Sequence, residues 1–134
     1  MKQVAKENIK QLQDLLSKIH LTDYKARPDV LSGASVGQHI RHILEFYLLL
    51  VRSSLDGIVS YDKRKRDIRL ETDISFALIT ADNLVAEIET LSLSEKVKLD
   101  ADYTCSGESP NLIESTLARE LAYCIEHSIH HQER

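Results

Sequence analysis

Ser35-Val36-Gly37-Gln38-His39-Ile40-Arg41-His42-Ile43-Leu44-Glu45-Phe46-Tyr47-Leu48-Leu49-Leu50-Val51 is the stretch whose reading decides the fold. Ser35 carries the side chain of an N-cap. Behind it Val36, Ile40, Ile43, Tyr47 and Leu50 recur at steps of three and four, the period of a helix with one apolar face. The pattern runs to Leu55, where Gly57 stops it.

The same period appears on both sides of this helix. Upstream, Val4, Ile9, Leu12, Leu15, Leu16 and Ile19 mark a first helix. Between the two, Asp23 to Ser35 carries Pro28, Gly33 and small polar residues, which suit an extended connection across one end of a bundle. Downstream, Thr72-Asp73 caps a helix marked by Ile74, Ala77, Leu78, Ala81, Leu84, Val85, Ile88 and Leu91. A last helix is marked by Ile113, Leu117, Leu121, Cys124, Ile125 and Ser128. Over Val97 to Thr104 apolar and polar residues alternate instead, which predicts a short hairpin or extended segment near 96–105, and Ser106 to Pro110 is turn chemistry. Four long helices in 134 residues predict an all-α chain, a four-helix bundle forming a single domain over 1–134.

Composition agrees with this and narrows the function. Apolar residues make up 43% and charged residues 28%, with Gly 4, Pro 2 and no Trp, so the core must be built from Leu, Ile, Val and Ala. A net charge of -4 supplies no general attraction for nucleic acid or an anionic membrane. No apolar run approaches the roughly 18 residues that span a bilayer. Met1-Lys2-Gln3-Val4 leads straight into a charged amphipathic stretch, so the expected address is the cytoplasm. In that reducing compartment Cys105 and Cys124 are expected as free thiols.

The histidines carry the chemistry. Five of the six fall into two helical groups, His39 and His42 on the second helix and His127, His130 and His131 on the last; His20 stands apart. The i, i+4 spacing places His127 and His131 one above the other, where two imidazoles can meet one metal ion. Neutral imidazole suits Zn, Ni, Fe or Cu, and three such donors leave a coordination position for water or substrate; the expected cofactor is one divalent ion, Zn, Ni, Fe or Mn. The third donor must come from another helix. At about 100° per residue, His39 lies nearer than His42 to the apolar centre of the second helix, so helical geometry alone slightly favours His39.

These residues also carry a family resemblance. Ser35-Val36-Gly37-Gln38-His39-Ile40-Arg41-His42-Ile43, then Tyr61-Asp62-Lys63-Arg64-Lys65-Arg66-Asp67, then Glu126-His127-Ser128-Ile129-His130-His131-Gln132 resemble the DinB-like (DinB/YfiT) superfamily, from about Ser35 to the end of the chain. The resemblance implies a four-helix bundle with an unusual connection. It implies a divalent metal ion held by one histidine of the second helix and an H-x-x-x-H pair on a later one, here His42, His127 and His131. Relatives continue several turns beyond the second histidine of the pair, whereas three residues follow His131, so a frayed helix end is expected to weaken the site.

By the same resemblance the function is that of a metal-dependent enzyme, a thiol-dependent transferase or a hydrolase acting on a small molecule. The competing reading is a non-catalytic bundle, a dimeric binding or structural module whose metal site is empty or degenerate. A homodimer is the expected assembly. Glu45 and Glu126 stand near the histidines and are read either as solvated carboxylates or as partners of metal-bound imidazole. Cys124 is read as a core residue before a ligand. Lys63 to Arg66 with Arg69 is the one concentrated basic run; without interleaved aromatics it reads as a solvated loop in which Tyr61, Asp62, Arg66 and Asp67 anchor the chain to the bundle, and not as a nucleic-acid site.

Overall fold

The Ser35 hydroxyl accepts from the backbone N–H of Gln38, and the Gln38 side-chain carbonyl takes the N–H of Ser35, both at 3.0 Å. The expected start of the long helix is therefore a full capping box, two orphan donors satisfied reciprocally. In the computed structural model, which describes residues 1–26, 34–61, 65–100 and 112–132, with residues 130–132 by backbone alone, this helix is α3, Val36–Asp56. It ends at Gly57, whose φ of 77° is the left-handed conformation that favours glycine.

Three more long helices complete the bundle: α1 (Lys2–Lys18), α5 (Ile74–Glu89) and α6 (Leu117–Gln132). Short helices α2 (Leu21–Lys25) and α4 (Arg69–Thr72) lie in the connections on either side of α3. Asp73 caps α5 as expected, its Oδ1 accepting from the Phe76 N–H at 3.1 Å. The apolar stripes meet in one shared core: Ile9, Leu12 and Leu16 of α1, Tyr47 and Leu50 of α3, Leu84 and Ile88 of α5, Leu117 and Leu121 of α6. None of the described helices is long and apolar enough to cross a membrane. The Pro28–Gly33 connection, Asp62 to Arg64 and the turn at 106–110 lie outside the described residues.

The chain departs from the sequence reading at the start of the last helix. Lys96–Asp100 forms β2, within the segment expected to be extended, and its antiparallel partner is β3, Leu112–Thr116, a segment read from the sequence as the start of the last helix. A two-residue β1 (Ile58–Val59) adds to the other side of β2 in parallel. Ile113, read as the first apolar position of the helix, pairs with Leu99 across the sheet. The helix starts only at Leu117, because Thr116 Oγ1 accepts the Arg119 N–H at 3.2 Å, while the N–H groups of Leu117 and Ala118 donate to the carbonyls of Glu95 and Leu93, each at 3.0 Å. This small sheet thereby sets the axial position of α6, and with it that of His127.

Candidate metal centre

His42 and His127 come from α3 and α6, distant in sequence, and their imidazole rings lie 5.0 Å apart between centroids, inclined by 41°. Both rings are half-buried. This spacing fits a shared ion: two imidazoles bound tetrahedrally through N–Zn bonds of about 2.0–2.1 Å would have centroids roughly 5 Å apart. His131 follows His127 by one turn in the backbone of α6, and its side chain, like that of His130, lies outside the described residues. Among the described residues no group of three or more His, Cys, Asp or Glu side chains is arranged to hold a metal. The structure thus brings together two of the three expected ligands, and of the two candidates on α3 the one whose ring meets His127 is His42. His39 is half-buried one turn earlier, and His20 is exposed before α2.

The reason His42 faces inward lies in how α3 packs. A single apolar stripe would bury one narrow face, but α3 packs against three other helices, α4, α5 and α6. Its buried surface accordingly widens to include Phe46 and Ser53, which stand on the same i, i+4, i+11 row as His42.

Phe46 touches both imidazoles. Its ring lies flat on His127, with centroids 4.1 Å apart and planes within 5°, and 4.8 Å from His42. Tyr61 stacks on Phe46 at 5.0 Å, and Tyr123, 45% exposed, closes the group at 4.9 Å from Tyr61 and 5.9 Å from His127.

Beneath the rings lies a carboxylate that sequence reasoning missed. Glu120 is 3% exposed, and its oxygens accept from the Tyr61 hydroxyl at 2.9 Å and the Ser115 hydroxyl at 2.6 Å. It was legible in principle, since Glu120 falls on the same helical row as Leu117 and Cys124, where a carboxylate must be buried with partners. Burial, together with the nearby Cys124 and Glu120, holds the Tyr61 phenol far above its usual pKa, so it remains a donor throughout the physiological range.

A crystallised DinB-like protein from Bacillus subtilis aligns with 98% of this chain and 85% of its own, with a TM-score of 0.66 and 20% sequence identity. The chain has the DinB-like fold. FK506-binding protein 5 of Rhizopus delemar is 33% identical over 82 residues, 59% of this chain and 21% of that protein. The chain therefore spans about a fifth of the length of the curated relative it matches. No protein-family model matches the sequence.

Within the DinB-like bundle the remaining expected residues find definite places. Glu45 is 2% exposed, and its Oε2 accepts the Asp67 backbone N–H at 2.8 Å while Oε1 lies 3.8 Å from Arg41 Nε. It is therefore not a solvated carboxylate; it anchors the chain that leaves β1. Tyr61 supplies the second anchor through Glu120, as the sequence suggested, whereas the Asp67 carboxylate turns outward to Arg69 (2.7 and 3.0 Å) and Arg66 is exposed. The Arg69 guanidinium holds the Asp67 carboxyl below its usual range. Glu126 is exposed.

Cys124 is 1% exposed, with its Sγ 3.8 Å from the Tyr61 hydroxyl and 3.7 Å from the Phe46 carbonyl, and burial pushes its pKa up to about 12. This is an inert core thiol, not a thiolate. Cys105 lies outside the described residues. In the native protein Cys124 is expected to resist iodoacetamide at mildly alkaline pH and to react once guanidinium unfolds the chain, as peptide mass mapping distinguishes; rapid native labelling at Cys124 would contradict its burial. The raised thiol, with Tyr24, Tyr47 and Tyr61 raised in the same direction by burial, also fixes the sign of the alkaline response. Above the ordinary thiol and phenol values the unfolded chain binds fewer protons than the folded one, so stability falls as pH rises there.

Proposed function

We propose that this chain binds one divalent metal ion through His42, His127 and His131 and uses it in a reaction on a small molecule. The observation that carries the reading is the meeting of His42 of α3 with His127 of α6 at a spacing suited to a shared ion. The i, i+4 relation of His131 to His127 offers a third nitrogen on the same face. Three imidazoles leave a position for solvent or a substrate atom. In such a site a divalent ion supplies Lewis acidity, which lowers the pKa of a ligated water or thiol. The protein's part is to hold the imidazoles oriented and to shield one side of them with Phe46, Tyr61 and Tyr123.

A thiol-dependent transferase or a hydrolase is the reaction class this reading favours, in a cytoplasmic setting and as a homodimer. The match of part of this chain to a fifth of a longer fungal protein supports a second element, that the bundle also serves as a module within larger chains.

The test is elemental analysis of protein purified without a nickel column. About one ion per chain is expected in the wild type, loss in His42→Ala and His127→Ala, and retention in His39→Ala. If Zn, Ni, Mn and Fe(II) all fail to bind on addition, the proposal is wrong and the bundle is a non-catalytic module.

A further inference from the structure

The χ2 torsion of histidine is broad, so a half-exposed imidazole on a helix samples many ring orientations unless something holds its plane. At His127 the hold is visible. Its ring lies face to face on Phe46 at 4.1 Å and 5°, and Phe46, 5% exposed, is stacked in turn by Tyr61 at 5.0 Å and 25°. The Tyr61 hydroxyl donates to Glu120 at 2.9 Å. Glu120 lies on α6, two turns before His127, and its other oxygen is held by Ser115 of β3 at 2.6 Å. The path from His127 through Phe46 and Tyr61 to Glu120 returns to the helix it left, so the ring plane is referenced to the backbone of its own helix.

We infer that Phe46 and Tyr61, anchored by Glu120, are positioning residues that set the plane of the His127 imidazole; the inference rests on the metal-binding reading for its purpose. The nitrogen lone pair of an imidazole lies in the ring plane, so setting the plane sets where an ion can be met. Outer partners of metal-binding histidines act in the same way, and their loss typically weakens metal binding by about 10–100-fold. Because Phe46 also touches His42, the same ring registers the two imidazoles against each other.

The experiment compares the full-length wild type with Phe46→Leu, Tyr61→Phe and Glu120→Gln, each first checked for native helical circular dichroism. Two quantities are read: the ring proton resonances of His127 in the metal-free protein, and zinc affinity by chelator competition. In the wild type the Phe46 ring current is expected to displace the His127 resonances upfield. Phe46→Leu should return them towards free-histidine values and weaken zinc binding about 10–100-fold. Tyr61→Phe, which keeps the ring and loses only its tie to Glu120, should give a smaller change in the same direction. Glu120→Gln retains an acceptor for the Tyr61 hydroxyl and should stay close to wild type in both. Identical His127 resonances in wild type and Phe46→Leu overturn the inference, as does unchanged zinc affinity in both Phe46→Leu and Tyr61→Phe. If the wild type itself takes up no zinc, the metal-binding reading fails separately, and the ring resonances alone decide whether Phe46 sets the plane.

Discussion

Gly37→Ala is expected to destabilise the protein by about 2 kcal/mol, although alanine is the better helix former by up to about 1 kcal/mol. Gly37 sits in the first turn of α3, where a Cβ would run into the carbonyl oxygen of Glu71 and come within 3.0 Å of that of Tyr24. Both obstacles are backbone, so no side chain can swing aside; α3 would have to part from α2 and α4. The surroundings add to the cost. Tyr24 donates its hydroxyl to the Leu70 carbonyl, and Arg41 reaches Glu71 at 3.5 Å, so the three elements are already tied together at this point. Overpacking of this kind typically costs 1–3 kcal/mol, more than the propensity gain. Urea denaturation should show a lower midpoint with an unchanged slope. A midpoint that rises would mean that the close approach of the backbones is absent.

Phe46→Ala is expected to have the larger effect, about 3–5 kcal/mol, the usual cost of truncating a buried aromatic ring. The ring is 5% exposed and contacts His42, Tyr61, Tyr123 and His127, so its removal leaves a cavity whose walls are the candidate site itself. Since domains of this size are stable by only about 5–15 kcal/mol, the variant should melt far lower and lose the near-ultraviolet dichroism of its tyrosines. A loss below about 1 kcal/mol would show that the ring is not packed as described. The prediction concerns stability alone and holds whether or not a metal binds.

Much of the helical frame was legible because its signals are local. Ser35 and Asp73 cap as their side chains imply, and Gly57 stops α3 in the one conformation for which glycine is favoured. The beginning of α6 was misread because Ile113 stands four residues before Leu117 and satisfies helical spacing; pairing with Leu99 in β2 overrides it. Thr116 ahead of an apolar run was the available cue to the true start. The buried carboxylates Glu45, Glu71 and Glu120 were harder, since carboxylates are ordinarily exposed and only their partners make burial tolerable. Those partners, the Asp67 N–H, Arg41, Tyr61 and Ser115, come mostly from other elements.

By itself, then, the sequence determined the four long helices, the caps of α3 and α5, the i, i+4 relation of His127 to His131 and the free state of a buried Cys124, all of which follow from spacing of a few residues and from composition. Only the tertiary structure decided that His42 meets His127, that Phe46 lies flat on His127 and stacks on Tyr61, and that Glu120 closes the circuit. Such contacts depend on the rotation and axial offset of one helix against another. Those are set by packing summed over the whole core and by the small sheet that fixes where α6 begins, quantities that no local pattern carries.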